Sequence, residues 1–270
     1  MKLKSGNIVT RKSYGKDILF YIDKIINLKN NKKLAILKGI VVRIEADALI
    51  EDLEIASMTR INNAEKRINE ILLYRLDKLK NIHGNYIIRK GKILHLDGDR
   101  RYSIKSSRHY KKLGLEAVVR NIPEYKQPSV VRMLLEKYNP DILVITGHDA
   151  MIRKGKNFNN LYNYRNSRYF INSVKEARKW EKNSEKLVIF AGACQSYYEE
   201  IITAGADFAS SPARILIDFT GPLIVAEKMA LTENYKFITG GEIANEVKEG
   251  KKGIFGIGAK GKLKKISVIK

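Results

Sequence analysis

The sequence predicts an α/β fold: a parallel sheet with helices on both faces, preceded by a small SH3-like β-barrel. Two patterns predict it. Residues 1–55 consist of short runs in which apolar and polar residues alternate, separated by turn residues, as in half-exposed antiparallel strands. From residue 85 onward, runs that are almost entirely apolar alternate with segments of helix length, as in parallel strands covered by helices on both sides.

Three segments follow from these patterns. Residues 1–55 form the predicted barrel, and residues 56–84 carry apolar side chains on one face at helical spacing, which predicts an amphipathic linking helix. Residues 85–270 form the predicted α/β domain. Its strands are expected at residues 92–96, 115–119, 141–146 and 187–191, and its helices at residues 106–113, 128–138, 169–181 and 197–204.

Composition limits the partners. With 51 Lys+Arg against 29 Asp+Glu, the chain carries a formal net charge of +22 and attracts polyanions. Nucleic acid is an open but not favoured partner, because no basic block contains interleaved aromatic residues on which bases could stack. No apolar run approaches the ~18 residues of a membrane span, and the amino terminus lacks the apolar core of a signal peptide. We therefore expect a cytoplasmic protein without a membrane partner.

The single cysteine, Cys194, excludes an internal disulfide and a cysteine-based zinc site. We expect no metal and no cofactor. A lone cysteine is more often a buried core residue than a reacting group, because free cysteine is among the most buried residue types. The position of Cys194 in the predicted sheet therefore has to decide its role.

Polar residues lie where the predicted strands end. Asp97 and Asp99 follow the first strand of the α/β domain, His148 follows the third and Cys194 follows the fourth. Since the carboxyl ends of parallel strands meet at one edge of a sheet, His148 and Cys194 emerge side by side if their strands are neighbours. Either residue alone more often belongs to a core, but their joint position near glycines favours a thiol–imidazole pair.

Such a pair can work as a cysteine nucleophile and its acid/base partner. A thiol with a pKa of about 8.5 is mostly protonated at neutral pH, and an adjacent imidazole or helix amino terminus raises the thiolate fraction. A helix is predicted directly after Cys194. The backbone amides of Gly147 and Cys194 are candidates for an oxyanion hole, which would stabilise the negative charge of a tetrahedral intermediate.

His148 precedes Cys194 by 46 residues, an order and spacing that resemble the caspase-like, or clan CD, cysteine peptidases. The local string Gly-Ala-Cys-Gln-Ser departs from the caspase motif, so this resemblance implies the dyad and a caspase-like sheet but no caspase specificity. Four longer strings are GNIVTRKSY at residues 6–14, PDILVITGHD at 140–149, AGACQSY at 191–197 and SSPAR at 210–214. Together they resemble the YabG family of sporulation-specific proteases.

The YabG resemblance implies that residues 85–270 are a peptidase domain. It implies a cysteine endopeptidase of the mother-cell cytoplasm, associated with the forming spore coat, that processes coat and cortex-associated proteins and also itself. It further implies cleavage after basic residues, chiefly arginine. A basic side chain needs a carboxylate in its pocket. Candidates for that carboxylate, with the first two foremost, are Asp97, Asp149, Asp99 and Asp218.

Two other interpretations stay open. Asp97-Gly98-Asp99 after an apolar strand also resembles the nucleophile and magnesium motif of haloacid-dehalogenase-type phosphohydrolases, although the following Arg100-Arg101 departs from that motif. A non-enzyme would use the amino-terminal barrel as a polyanion-binding module, and its steeply salt-dependent binding would survive loss of Cys194. The polar segment 151–168, directly after His148, is expected to be a loop that closes over the site.

Overall fold

The structure is a computed structural model that describes residues 2–29, 31–79, 86–152 and 157–267. The chain divides into two units, Met1–Asn81 and Ile82–Lys270. Part of the predicted linking segment 56–84 and the start of the predicted domain 85–270 lie outside the described residues.

The first unit contains a five-stranded antiparallel sheet followed by a long helix. The strands are β1 Ile8–Arg11, β2 Phe20–Asn27, β3 Lys33–Gly39, β4 Glu45–Leu49 and β5 Leu53–Ile55, in the order β4-β3-β2-β1-β5. Their alternation buries one set of side chains, among them Val9, Phe20, Ile22 and Leu37. Helix α1 spans Met58–Leu79.

The second unit is built on a six-stranded sheet in the order β13-β11-β10-β9-β7-β8. The strands are β7 Ile93–Asp97, β8 Ala117–Asn121, β9 Ile142–Thr146, β10 Val188–Ala191, β11 Phe208–Ser210 and β13 Ile254–Gly256. All neighbouring pairs are parallel except β11 and β13, which are antiparallel. Two antiparallel pairs are separate from this sheet: β6 Tyr86–Arg89 with β15 Lys264–Ser267, and β12 Phe237–Ile238 with β14 Ala259–Lys260.

Helices cover both faces of the parallel sheet. They are α2 Arg100–Lys112, α3 Gln127–Tyr138, α4 Ser167–Trp180, α5 Tyr198–Thr203, α6 Thr220–Leu231 and α7 Gly240–Ala244. Leu94, Leu143 and Ile189 point to one face, where they form a buried core with side chains of α3 and α4. His95 points to the other face, where its ring is hydrogen-bonded to Tyr110 of α2. The predicted α/β class, with a parallel sheet flanked by helices, is confirmed.

Candidate active site

The carboxyl ends of β9 and β10 bring the histidine and the cysteine to matching positions. The two strands are paired in parallel, with Ile145 opposite Ala191, and the Gly192 N–H donates to the Ile145 carbonyl at 3.0 Å. His148 and Cys194 each follow a paired residue by three positions. Adjacent strands are about 4.8 Å apart. The loop after β9 (residues 147–150, the histidine loop) and the loop after β10 (residues 192–197, the cysteine loop) therefore leave the sheet side by side.

His148 is held at its ring and at its backbone. Its side chain is buried, and its Nε2 lies 3.0 Å from Asp99 Oδ2. Its backbone N–H donates to Glu124 Oε1 at 2.7 Å. The other ring nitrogen, Nδ1, is buried and has no hydrogen-bond partner among the described residues. One nitrogen is therefore fixed by a carboxylate while the other is left available for a reacting group.

Asp99 is fixed in turn by the start of helix α2. Its Oδ1 accepts hydrogen bonds from the backbone N–H groups of Arg101 and Tyr102, which makes it the N-cap of the helix. Its own backbone N–H donates to Asp97 Oδ1 at 2.9 Å. Because Oδ1 serves the helix, Oδ2 is the oxygen that meets His148.

Glu124 is a carboxylate of the site that the sequence did not reveal. It lies between the ends of β7 and β9, and a Cβ atom added at Gly98 or at Gly147 would come within 2.2 Å of its Oε1. Burial raises the pKa of Glu124, an effect opposed by the hydrogen bond from the His148 N–H. Two glycines at the ends of adjacent strands were the available signal that a side chain approaches the backbone there.

Cys194 is almost completely buried, with 1% of its surface exposed. The Ile217 backbone N–H donates to its Sγ at 3.2 Å. The thiol in turn lies 3.9 Å from the Ile217 carbonyl, so both backbone groups of Ile217 face the sulfur. The short helix α5 begins four residues later, at Tyr198. Gly192 adopts a φ of +112°, a conformation that side-chain-bearing residues avoid, and so allows the strand to turn into the cysteine loop.

Asp149 joins the histidine loop to the cysteine loop. Its Oδ2 accepts from Ser196 Oγ at 3.0 Å and from the hydroxyl of Ser167, and its Oδ1 accepts from the backbone of Asn166 and Ala150. Burial raises the pKa of Asp149 from 3.8 to about 6, because the loss of water outweighs these hydrogen bonds. The carboxylate therefore braces the two loops and is not bonded to the His148 ring.

Aromatic contacts make a second link between the two catalytic candidates. The Tyr102 ring lies 6.0 Å from the His148 ring and 5.6 Å from the Phe219 ring, measured between centroids. Residues 217–219 thus touch Cys194 at one end and approach His148 through Tyr102 at the other. Residues 217–219 therefore line the site beside both Cys194 and His148.

The four aspartates predicted from the sequence occupy different surroundings. Asp99 lies against the His148 ring, Asp97 accepts from the backbone N–H of Asp99, and Asp149 lies between the two loops. Asp218 precedes helix α6, where its carboxylate accepts from the backbone N–H and the hydroxyl of Thr220. All four are at most 5% exposed. The structure therefore brings three of them to the candidate site, each with a carboxylate that already binds protein groups.

The segment expected to close over the site is partly packed. Residues 153–156 lie outside the described residues. Met151 and Tyr164 form an isolated β-bridge and are buried with Tyr197, whose ring stacks on Tyr164 at 5.0 Å. Arg214 Nε donates to the Tyr164 hydroxyl at 2.9 Å. These tyrosines form a small core of their own beside the cysteine loop.

The described residues lack a cluster of metal ligands and a membrane-spanning helix. They contain no group of three or more His, Cys, Asp and Glu side chains that could hold a metal ion. None of the helices in the part of the chain that the structure describes is long and apolar enough to cross a membrane.

Comparison with known proteins gives the family. The family model described as YabG peptidase U57 matches residues 4–267. The chain belongs to the YabG peptidase family. It is also 38% identical over 282 residues to the sporulation-specific protease YabG of Bacillus subtilis (strain 168), an alignment that covers 98% of this chain and 97% of that protein. The predicted resemblance to this family is confirmed. As a member of the family, the chain is a peptidase, and its His148 and Cys194 loops follow the carboxyl ends of two neighbouring parallel strands.

Proposed function

We propose that this YabG-family peptidase is a cysteine endopeptidase, with Cys194 as the nucleophile and His148 as its acid/base partner. The observation that carries the proposal is the matched position of the two residues beyond paired residues of β9 and β10. The Nδ1 atom of His148 supports it, since this atom is buried and has no hydrogen-bond partner among the described residues. A buried nitrogen left unpaired is costly, and a catalytic role would explain why it is kept.

In the proposed mechanism, His148 Nδ1 accepts the proton of the Cys194 thiol. The thiolate attacks the carbonyl carbon of the scissile bond, and the amides of Gly147 and Cys194 stabilise the resulting oxyanion. The tetrahedral intermediate collapses as the imidazolium protonates the leaving amine, which leaves a thioester on Cys194. A water molecule, deprotonated by His148, then hydrolyses the thioester and restores the thiol.

We propose a caspase-like sheet and an SH3-like barrel for the two units. The strand order β8-β7-β9-β10-β11, with an antiparallel sixth strand at the edge, supports the first assignment. In open parallel sheets, ligands bind at the carboxyl ends of strands where the order reverses, and the β7–β9 junction is such a point. Five short antiparallel strands within residues 8–55 support the second assignment.

We propose that the substrates are spore coat and cortex-associated proteins, processed in the mother-cell cytoplasm, and that the enzyme also cleaves itself. The description of the Bacillus subtilis relative as a sporulation-specific protease supports the setting. Cleavage after arginine is proposed with it. The carboxylates of Asp97 and Glu124, at the carboxyl ends of β7 and β9, favour a cationic side chain there.

The test is cleavage of an unfolded, arginine-containing protein by the wild type and by Cys194→Ala, in reducing buffer with and without EDTA. We expect cleavage by the wild type only, and equal thermal melting of the two proteins. Equal cleavage by both would refute the role of Cys194. Cleavage by the wild type that EDTA abolishes would refute a metal-independent thiol mechanism.

A further inference from the structure

We propose that Asp99 is the residue that positions His148 for catalysis, by fixing its ring and the nitrogen that carries its proton. The role rests on the proposed function of His148. Asp99 Oδ2 lies 3.0 Å from His148 Nε2, and the two side chains are 2% and 6% exposed. Water hardly competes with a hydrogen bond at this depth, so the bond restricts rotation of the ring.

The bond also selects a tautomer. An ionised carboxylate can only accept hydrogen bonds, so the Nε2 atom that faces Asp99 must carry a proton. In the neutral ring Nδ1 is then the basic nitrogen, and it is the nitrogen without a partner among the described residues. Asp99 thereby leaves His148 ready to accept a proton at Nδ1.

Asp99 can position the His148 ring because hydrogen bonds hold Asp99 itself in place. Two backbone N–H groups of helix α2 bind its Oδ1, at 2.7 and 3.3 Å, and its own N–H is held by Asp97. The helix amino terminus favours negative charge on a carboxylate at this position. The amino-terminal end of α2 therefore determines where the His148 ring lies, through the side chain of Asp99.

The other nearby carboxylates bind groups other than the His148 ring. Asp149 follows His148 in sequence but binds the hydroxyls of Ser167 and Ser196. Glu124 binds the backbone of His148 and not its ring. Among the described residues, Asp99 is the carboxylate within hydrogen-bonding distance of the imidazole. We assign it the positioning role in place of the substrate-binding role considered from the sequence.

Asp99→Asn separates this role from helix capping. Asparagine caps helices as well as aspartate does, so its Oδ1 should keep the two α2 N–H groups and the melting temperature should stay unchanged. Its Nδ2 then faces His148 Nε2 as a donor, which requires the proton to move to Nδ1. We expect kcat to fall by about 10²–10⁴-fold with little change in KM, since the wrong tautomer cannot act as the base.

The decisive readout is the His148 tautomer, measured by long-range ¹H–¹⁵N NMR of the imidazole in the inactive Cys194→Ala background. His148→Gln assigns the signal among the four histidines of the chain. We expect the Nε2–H form with Asp99 and the Nδ1–H form with Asp99→Asn. The matched control is Asp52→Asn, an aspartate of the first unit that binds Ser13, which should leave activity and tautomer unchanged.

Three outcomes would overturn the proposal. An unchanged tautomer in Asp99→Asn would remove its physical basis, whatever the activity. Full activity of Asp99→Asn, with Cys194→Ala inactive, would reject the positioning role while the cysteine mechanism stands. A raised KM with unchanged kcat would instead make Asp99 a substrate-binding residue. Failure of the proposed function is distinct, since it would appear as cleavage by Cys194→Ala.

Discussion

The brace at Asp149 makes the stability of the second unit depend on pH. Its carboxyl has a pKa of about 6 in the fold against 3.8 for an unperturbed aspartate, because it is buried between the histidine and cysteine loops. A gap of about 2 pH units corresponds to roughly 3 kcal/mol of unfolding free energy. The folded state binds this proton more tightly than the unfolded state. The stabilisation that protonated Asp149 gives the fold is therefore complete below pH 3.8 and is lost as the pH rises through about 6.

Asp149→Asn removes this titration, since an amide does not ionise in the same range. The unfolding free energy of the variant minus that of the wild type should therefore rise by roughly 3 kcal/mol between about pH 3 and pH 7. Asp207, whose burial also raises its pKa to about 6, is present in both proteins and cancels in the difference. Hydrogen bonds lost by the substitution add an offset that does not vary with pH.

The assay is urea unfolding at several pH values, followed by the fluorescence of Trp180, which is the single tryptophan of the chain and belongs to the second unit. A free-energy difference between variant and wild type that stays constant with pH would show that Asp149 titrates equally in the folded and unfolded chain. A free-energy difference that falls with rising pH would mean that the hydrogen bonds lower the pKa of Asp149 by more than burial raises it. Either result would refute the reasoning.

Two substitutions test the surroundings of the site. Gly98→Ala places a Cβ 2.2 Å from Glu124 Oε1 and should displace that carboxylate, lowering kcat/KM by about 10–100-fold. Gly221→Ala, whose Cβ would meet its nearest neighbour at an ordinary 3.7 Å, is the control, and equal losses in both variants would contradict the explanation. Arg214→Ala removes two 2.8 Å contacts to the partly exposed Glu199 and the 2.9 Å hydrogen bond to the Tyr164 hydroxyl. It should lower the unfolding free energy by about 1–2 kcal/mol. Urea unfolding checks this value, and an unchanged midpoint would contradict it.

The sequence predicted those parts of the fold that local pattern encodes. Strands β7, β9 and β10 lie in the interior of the sheet and read as continuous apolar runs, because both of their faces are buried. His148 and Cys194 could be found because they follow two such runs. Helix α6 had no such signal, since Thr220–Leu231 is buried on nearly every side and shows no helical period.

The start of helix α2 was also missed. The sequence predicted a helix from residue 106, whereas α2 begins at Arg100 behind its cap, Asp99. Two arginines in the first turn are unfavourable near the positive end of a helix and masked the capping signal. The sequence instead offers Asp99 as one of four candidate pocket carboxylates, a role suggested by the family resemblance.

The partners of His148 depend on strand order, which local pattern does not encode. Asp97 pairs with Thr146 because β7 lies beside β9, and this pairing brings Asp99 to the histidine. Glu124 reaches the same place from the loop after β8. Both contacts join residues far apart in the sequence, so only the assembled sheet could reveal them.

The most direct test of the cysteine mechanism uses the fact that the chain contains a single cysteine. A small thiol reagent, methyl methanethiosulfonate, can modify only Cys194, and intact mass spectrometry gives the fraction modified. Proteolytic activity should fall in proportion to that fraction, reach zero at full modification and return after dithiothreitol. A fully modified protein that cleaves its substrate at the original rate would contradict the role of Cys194 as the nucleophile.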